Sequence, residues 1–193
     1  MTGFSGFDDS TITLADRRFL IRRANSSDVR DLVSLLRDDA LGAGREGADA
    51  EEEAGYQHAF SLIESDPNQL LVAIDDVSNG SVNNESVNHH AGGQAQTSDT
   101  QSAAVVGTLQ LTLIPSLPRR GSTRLQIEAV RIGPDAQGLG LGTAVFDWAH
   151  DCGRRFGASL AQLTTDKSRM DAQRFYARLG YEASHEGLKL DLD

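Results

Sequence analysis

The sequence predicts a single mixed α+β domain. Three observations carry that reading. Segments with strand periodicity alternate with segments of helical periodicity along the chain. Its 193 residues suffice for one hydrophobic core and are too few for two comfortable ones. And a glycine-rich turn joins a strand directly to an amphipathic helix.

Residues 1–17 lack a clear pattern and are expected as a flexible leader, with the folded domain running from 18 to 193. Arg18 to Arg23 reads as a first strand. Asn25-Ser26-Ser27-Asp28 then offers helix N-cap chemistry, and Val29, Leu32, Val33, Leu35 and Leu36 follow with helical spacing. Leu41-Gly42-Ala43-Gly44 ends that helix and leads into a loop with Arg45 and Glu46. A second helix spans Glu51 to Ile63, with Tyr56, Ala59, Phe60 and Ile63 on one face, and Asp66-Pro67-Asn68 stops it. Gln69 to Ile74 is a strand.

The segment 77–103 breaks the pattern. It holds no Lys, Arg or aromatic residue and is mostly small and polar. Such a composition buries too little apolar surface to offset its ordering entropy, so it is expected as a disordered hairpin insertion between two strands. Ser-Val-Asn recurs at 81–83 and 86–88, and gene slippage accounts for that as well as function does. His89 and His90 stand there without other ligand residues; a solvated loop is the favoured reading, and no metal is expected.

Val105 to Ile114 and Thr123 to Ile132 are the next strands. In the second, Leu125, Ile127 and Ala129 alternate with Gln126, Glu128 and Val130. A helix to about Phe156 follows, with Leu141, Val145, Trp148, Cys152 and Phe156 on one stripe. Then come a strand at Ser159–Thr164, a helix at about Asp171–Leu179 and a final pair of strands.

Composition narrows the function classes. Apolar content of 39% and charged content of 24% read as a soluble globular protein. A net charge of −10 disfavours nucleic acid and anionic membranes as partners. No apolar run nears the ~20 residues that span a bilayer. The first nine residues lack the features of a signal peptide, so a cytoplasmic location is expected. Cys152 is the single cysteine and cannot form an internal disulfide; it reads as a small buried hydrophobe. Residues 117–137 carry Arg119, Arg120, Arg124 and Arg131 against Glu128 and Asp135. That local basic strip fits either an anionic small ligand or a solvated strand edge.

The most informative stretch is Val130-Arg131-Ile132-Gly133-Pro134-Asp135-Ala136-Gln137-Gly138-Leu139-Gly140-Leu141-Gly142-Thr143. A strand–glycines–helix junction points backbone N–H groups at one spot, the helix dipole adds partial positive charge, and glycines let a phosphate approach the main chain. The dinucleotide pattern G-x-G-x-x-G is met imperfectly, because Thr143 stands at its third small position. The phosphate loop G-x-x-x-x-G-K-[ST] needs a lysine, and none occurs between 105 and 166. The pattern Q/R-x-x-G-x-G/A is met in full by Gln137, Gly140 and Gly142.

That last pattern resembles the acetyl-CoA pyrophosphate signature of the GNAT superfamily of N-acetyltransferases. Ile127 to Ile132 resembles the family's central strand, and Phe175-Tyr176-Ala177-Arg178-Leu179-Gly180-Tyr181 resembles its F-Y-x-x-L-G-F/Y ending. The resemblance is close from about 123 to 192. Leu163 to Tyr176, with Tyr181-x-x-Ser184-His185, also resembles the matching stretch of aminoalkylphosphonate N-acetyltransferases. One departure is Arg169, where the commoner family form has an asparagine.

The resemblance implies a mixed, mostly antiparallel central sheet flanked by helices. It implies acetyl-CoA as co-substrate and transfer of its acetyl group to a primary amine. Val130, Arg131 and Ile132 would line the pantetheine arm, and Gln137, Gly138, Leu139, Gly140, Leu141, Gly142 and Thr143 the pyrophosphate. Arg169 would face a phosphate or an acidic acceptor. Tyr176 matches the family's general acid near the thiol, against a bland role as a core aromatic. Glu128 is the candidate base, through a water, against a salt bridge with Arg124 or Arg131. The amide near Val130 would polarise the carbonyl. Arg45, Glu46, Tyr56 and His185 are candidates for the acceptor site. The expected partner is a small-molecule amine carrying an acidic group, and the resemblance admits a homodimer. Two rival readings stand: an acetyl-CoA-binding regulatory module without turnover, and a protein lysine or N-terminal acetyltransferase.

Overall fold

A computed structural model describes residues 3–38, 42–44, 46–47, 49–78 and 103–192. Six strands form one sheet in sequence order: β1 (Ser10–Leu14), β2 (Arg17–Arg23), β3 (Gln69–Asp76), β4 (Ala104–Pro115), β5 (Thr123–Ile132) and β6 (Ala158–Gln162). Every neighbouring pair is antiparallel except β5 and β6, which are parallel. The helices are α1 (Val29–Arg37), α2 (Ala50–Ser65), α4 (Leu141–Arg155) and α5 (Met170–Arg178), with a four-residue turn, α3 (Pro118–Gly121), between β4 and β5. This is the mixed, mostly antiparallel architecture that the sequence predicts.

Local chemistry sets the helix boundaries. The Asn25 side chain accepts from the Ser27 amide, and Asp28 reaches back to the Asn25 amide, starting the turn before α1. Asp49 and Glu52 make the same reciprocal pair at the start of α2. Phe60 is the buried residue of α2, Tyr56 and Ile63 are half-buried, and Ala59, expected on that face, is exposed.

The two faces of the sheet carry separate cores. One, built from Phe19, Ile21, Leu70, Val72, Leu109, Leu111, Leu125 and Ile127, is covered by Leu141, Val145, Phe146, Ala149 and Cys152 of α4. The other, with Ala24 and Ala73, is covered by Val29 and Leu32 of α1 and Phe60 of α2. Helix α4 lies close against β5. A Cβ built on Gly153 would stand 2.7 Å from Leu125 Cδ2, so this helix position has no room for a side chain.

Two expectations change. Much of the segment expected as a flexible leader is packed on the domain: β1 pairs with β2, and Phe4 is 1% exposed. Aromatic residues hold it. The Phe4 ring meets Phe156 edge-on at 5.1 Å, Phe7 meets Trp148 at 6.1 Å, and Trp148 Nε1 donates to Ser10 Oγ at 2.8 Å. The final strands do not form; α5 is followed by an exposed irregular segment from 182 to 192. The insertion lies outside the described residues except at its ends, with His89 and His90 among the undescribed. Its flanks are strands, and Asp76 stands opposite Ala104. Among the described residues no helix is long and apolar enough to cross a membrane.

Candidate active site

Strand β5 changes character halfway along. From Thr123 to Gln126 it pairs with β6, and beyond Gln126 that pairing stops. On its other side, Glu128 stands opposite Gln110 and Arg131 opposite Thr108, so Ala129 and Val130 together face the single residue Leu109. This is a β-bulge, and Ala129 carries its strain with φ 53°. The bulge corrects the expected alternation. Val130 moves to the face of the large core together with Ile132, while Glu128 and Arg131 point to the α1–α2 face. The outcome is a wedge: β5 runs on without β6, with a bulge at the mouth.

The wedge leads to the glycine turn. The Gly133 amide donates to Val106 O at 2.8 Å, closing the strand, and Pro134–Ala136 form one tight turn. Gln137, predicted at the cofactor, folds back and donates through Nε2 to Ile132 O at 2.8 Å, bracing the turn. Gly138 and Gly140 have φ of 76° and 81°, a region that glycine enters without penalty. A Cβ at either would meet nothing within 4 Å, so both are required by backbone conformation and open toward solvent. Gly140 is the N-cap of α4 and supplies no side-chain cap. The first helical bond is Ala144 N to Gly140 O, at 3.2 Å. The amides of Leu141, Gly142 and Thr143 therefore lack helical partners and add to the positive end of a helix of 15 residues. Leu139 and Thr143 are exposed beside them.

Tyr176 sits on α5 in an aromatic cluster. Its ring lies 5.6 Å from Phe146, 5.6 Å from Phe175 and 6.0 Å from Tyr181. Burial pushes its phenol above the ordinary value, while the charges of Arg169 and Arg131 pull the other way. The charges of Arg131 and Arg169 therefore reach Tyr176, although the three come from different elements. Arg131 also donates through its guanidinium to Val130 O at 2.8 Å, tying it to the bulge. Arg169 precedes the first residue of α5, and its carbonyl accepts from Gln173 N.

Glu128 is exposed on the face shared with Gln110 and Arg131. Arg124, one of its suggested salt-bridge partners, turns to Gln162 Oε1 at 3.3 Å. Gln162 in turn donates to buried Gln126 at 2.7 Å. This Arg124–Gln162–Gln126 ladder fixes β5 to β6 just before they part. Sequence reading missed it, and the signal available was a run of polar residues on the inner strand face.

Glu46 and Tyr56, both acceptor candidates, do meet. The Tyr56 hydroxyl donates to Glu46 Oε2 at 2.8 Å and accepts from the Gly47 amide at 3.1 Å. Arg45 lies outside the described residues. His185 is exposed and pairs with its neighbour Ser184, with 2.8 Å between Nδ1 and Oγ. The basic strip does not form one patch. Arg119 and Arg120 stand exposed in the turn before β5 and Arg131 at its far end, some 30 Å of strand apart by the usual rise per residue. Cys152 is buried in the core, which pushes its thiol up to about 11; Arg155 lowers it, but burial outweighs that charge.

Known proteins share this fold. The acetyltransferase (GNAT) family pattern matches residues 84–181, about half of the chain. Over 60 residues the chain is 38% identical to the aminoalkylphosphonate N-acetyltransferase of Salmonella typhimurium, a match covering 31% of this chain and 39% of that protein. A transcriptional regulator from Bacillus halodurans C-125 superposes with TM-score 0.70 and 37% identity, over 89% of this chain and 98% of that one. A predicted acetyltransferase from Clostridium acetobutylicum, solved with acetyl-CoA, shares the fold at TM-score 0.61 and 15% identity, over 90% and 96%. The wedge in β5, the glycine turn and the extent of the family match together place this chain in the GNAT acetyltransferase family.

Proposed function

We propose that the protein is an acetyl-CoA-dependent N-acetyltransferase whose acceptor is a small primary amine carrying an acidic group. The observation that carries this reading is the parting of β5 from β6 at a bulge, leading to uncapped amides at the start of α4. The open space at Gly138 and Gly140 fits a pyrophosphate approaching the main chain. Acetyl-CoA supplies the acetyl thioester. Leu141, Gly142 and Thr143 present amides to its phosphates, with Gly138, Leu139 and Gly140 shaping the turn. Val130, Arg131 and Ile132 offer the strand edge along which the pantetheine arm lies.

Glu128 takes the proton of the attacking amine through a water, and the Val130 amide polarises the carbonyl. Tyr176 holds a proton through the neutral range, because burial raises its phenol, and gives it to the departing thiolate. Arg131 and Arg169 beside it supply positive charge for an acidic group on the acceptor. The Salmonella relative is named for an aminoalkylphosphonate, an amine bearing an anionic group, in keeping with that acceptor class. Glu46, Tyr56, Arg45 and His185 remain acceptor-side candidates.

The test is release of free thiol from acetyl-CoA against a panel of amines. Aminoalkylphosphonates and amino acids should react faster than amines of the same size without an acid. Preference for neutral amines, or for a peptide lysine or N-terminus, would overturn the acceptor class. A second reading, an acetyl-CoA-binding regulator without turnover, draws on the name of the Bacillus halodurans relative. It predicts binding of acetyl-CoA with no thiol release for any amine.

A further inference from the structure

We propose that Arg17 is a positioning residue for the glycine turn, holding the peptide at Asp135 so that the amides beyond it are set in place before acetyl-CoA arrives. The two residues stand 118 positions apart in the chain. Arg17 opens β2, and its Nη1 donates to Asp135 O at 2.7 Å. Asp135 belongs to the tight turn between β5 and the glycines. Its neighbours bond within that turn. Gly133 O accepts from the Ala136 amide, and Pro134 O from the Gln137 amide. Asp135 O instead meets a charged donor from the far side of the sheet order. Beyond it, a Cβ at Gly138 or Gly140 would meet nothing within 4 Å, so packing does not hold this stretch. Its position is set by what grips it on either side. Downstream that is Leu141, buried at the start of α4. Upstream it is Gln137 on Ile132 O and Arg17 on Asp135 O.

Arg17 is itself held in place. Its Nη2 donates to Asp76 Oδ2 at 2.5 Å, and its guanidinium lies 5.2 Å from the centre of the buried Phe19 ring. The other Asp76 oxygen accepts from the amide and the hydroxyl of Ser78, and Ser78 Oγ accepts from the Arg18 amide at 2.9 Å. Burial raises the Asp76 carboxyl, but the bonds from Ser78 and Arg17 outweigh it and hold it below its ordinary 3.8. The anchor therefore keeps its charge through the neutral range. An arginine fixed by a carboxylate on one nitrogen and a ring on one face loses little further freedom in gripping the turn with the other nitrogen. The bond it makes is charge-assisted, and such bonds are stronger than neutral ones. A site ordered in advance has less ordering left to do on binding, and it binds more tightly for that reason. This inference rests on reading the turn as the acetyl-CoA site.

Two measurements on the full chain test it: titration calorimetry with acetyl-CoA, and NMR order parameters of the 135–139 amides in the free protein. Arg17→Met should bind acetyl-CoA roughly three- to thirtyfold more weakly, and its 135–139 amides should be more mobile than those of the wild type. In steady state the loss should fall on KM for acetyl-CoA more than on kcat or on KM for the amine. Arg18→Met removes the same charge from an exposed neighbour and should bind like the wild type. Asp76→Ala separates grip from charge. It takes away a negative charge, so electrostatics alone predicts tighter binding of an anionic cofactor, whereas loss of the Arg17 anchor predicts weaker binding. The double variant Arg17→Met/Asp76→Ala leaves no unpaired carboxylate and should recover melting temperature without recovering affinity. Wild-type affinity or unchanged order parameters in Arg17→Met, an equal loss in Arg18→Met, a tighter Asp76→Ala, or a double variant whose affinity returns with its stability would overturn the inference. A wild type that binds no acetyl-CoA would overturn the reading of the turn instead, and the order parameters would still decide whether Arg17 holds it.

Discussion

His150 Nε2 and the Tyr181 hydroxyl stand 2.8 Å apart, joining α4 to the chain as it leaves α5. Tyr181 also packs edge-on against Phe146 at 6.2 Å and against Tyr176 at 6.0 Å. Burial first, and repulsion from Tyr176 second, push the Tyr181 phenol up to about 12, so it stays protonated. Burial, then the charge of Arg154, holds the His150 imidazole below its ordinary value of 6.5. The folded protein therefore binds this proton less readily than the unfolded chain. Its stability contribution is complete above the unfolded value and is lost as pH falls below it. The melting temperature should drop from about pH 7 to about pH 5, and His150→Gln should remove part of that drop. Parallel profiles for both proteins would show that His150 does not titrate in folding.

Arg22 joins two carboxylates across β2, β3 and the turn before α1. Its Nε lies 2.6 Å from Asp75 Oδ2, and its terminal nitrogens lie 2.7 and 2.8 Å from the Asp28 oxygens. Both aspartates are buried, at 5% and 6% exposure. Arg22→Met would leave two buried charges without their partner, at a cost of about 3–5 kcal/mol. Calorimetry should show a fall on the order of ten degrees. Burial raises the Asp28 carboxyl, but hydrogen bonds from Arg22 and the Asn25 amide outweigh it and hold it below its ordinary 3.8. That contribution is present above 3.8 and is lost as pH falls toward the folded value. Asp28→Asn should be less stable at neutral pH and lose less on acidification.

Residues 3–15 are structural. Phe4 donates its amide to Pro67 O at 2.6 Å, accepts from Arg23 Nη2 at its carbonyl at 3.1 Å, and buries its ring against Phe156. Phe4→Ala should cost about 3–5 kcal/mol in urea unfolding, the range for a large side chain lost from a core. A cost under about 1 kcal/mol would mean that the segment is dispensable after all.

Gly140→Asp tests the proposed anion site. The new carboxylate would stand among the amides of Leu141, Gly142 and Thr143, and its φ of 81° would add backbone strain. Titration calorimetry should show acetyl-CoA affinity falling by more than about tenfold, whereas Gly140→Ala, with strain but no charge, should lose less. Equal losses in the two would assign the effect to strain alone.

The strand–glycine–helix junction was legible because it rests on local chemistry: the glycines require their φ, and the helical stripe begins at Leu141. The bulge was not. Ala129 carries no mark of positive φ, and strict alternation put Val130 on the wrong face. The first strand is hidden for a similar reason. Ser10 to Leu14 is short and weakly apolar, and besides its pairing with β2 it is held by Trp148, more than a hundred residues away. The missing last strands show the converse. Leu188 to Leu192 has the right period, yet no strand among the described residues pairs with it. That the charges of Arg131 and Arg169 both act on Tyr176 is visible only in the fold, because the three stand on different elements.

Tyr176→Phe is the sharpest test of the chemistry. The substitution removes a hydroxyl and keeps the ring that packs on Phe146, Phe175 and Tyr181. Fold and acetyl-CoA affinity should therefore change little. If the phenol protonates the departing thiolate, turnover should fall by roughly ten- to a thousandfold. The pH profile separates this from a packing defect. Burial raises the phenol above its ordinary 10.0, so the wild-type rate should lose its acid only on the alkaline side of that value. In the Phe variant that alkaline limb should disappear. The opposing charges of Arg131 and Arg169 make a further demand. Removing either cation, as in Arg169→Met, should move the alkaline limb to higher pH, because a nearby positive charge favours the phenolate. A Phe variant that binds acetyl-CoA, melts normally and turns over at the wild-type rate would remove Tyr176 from the mechanism and leave water as the proton source.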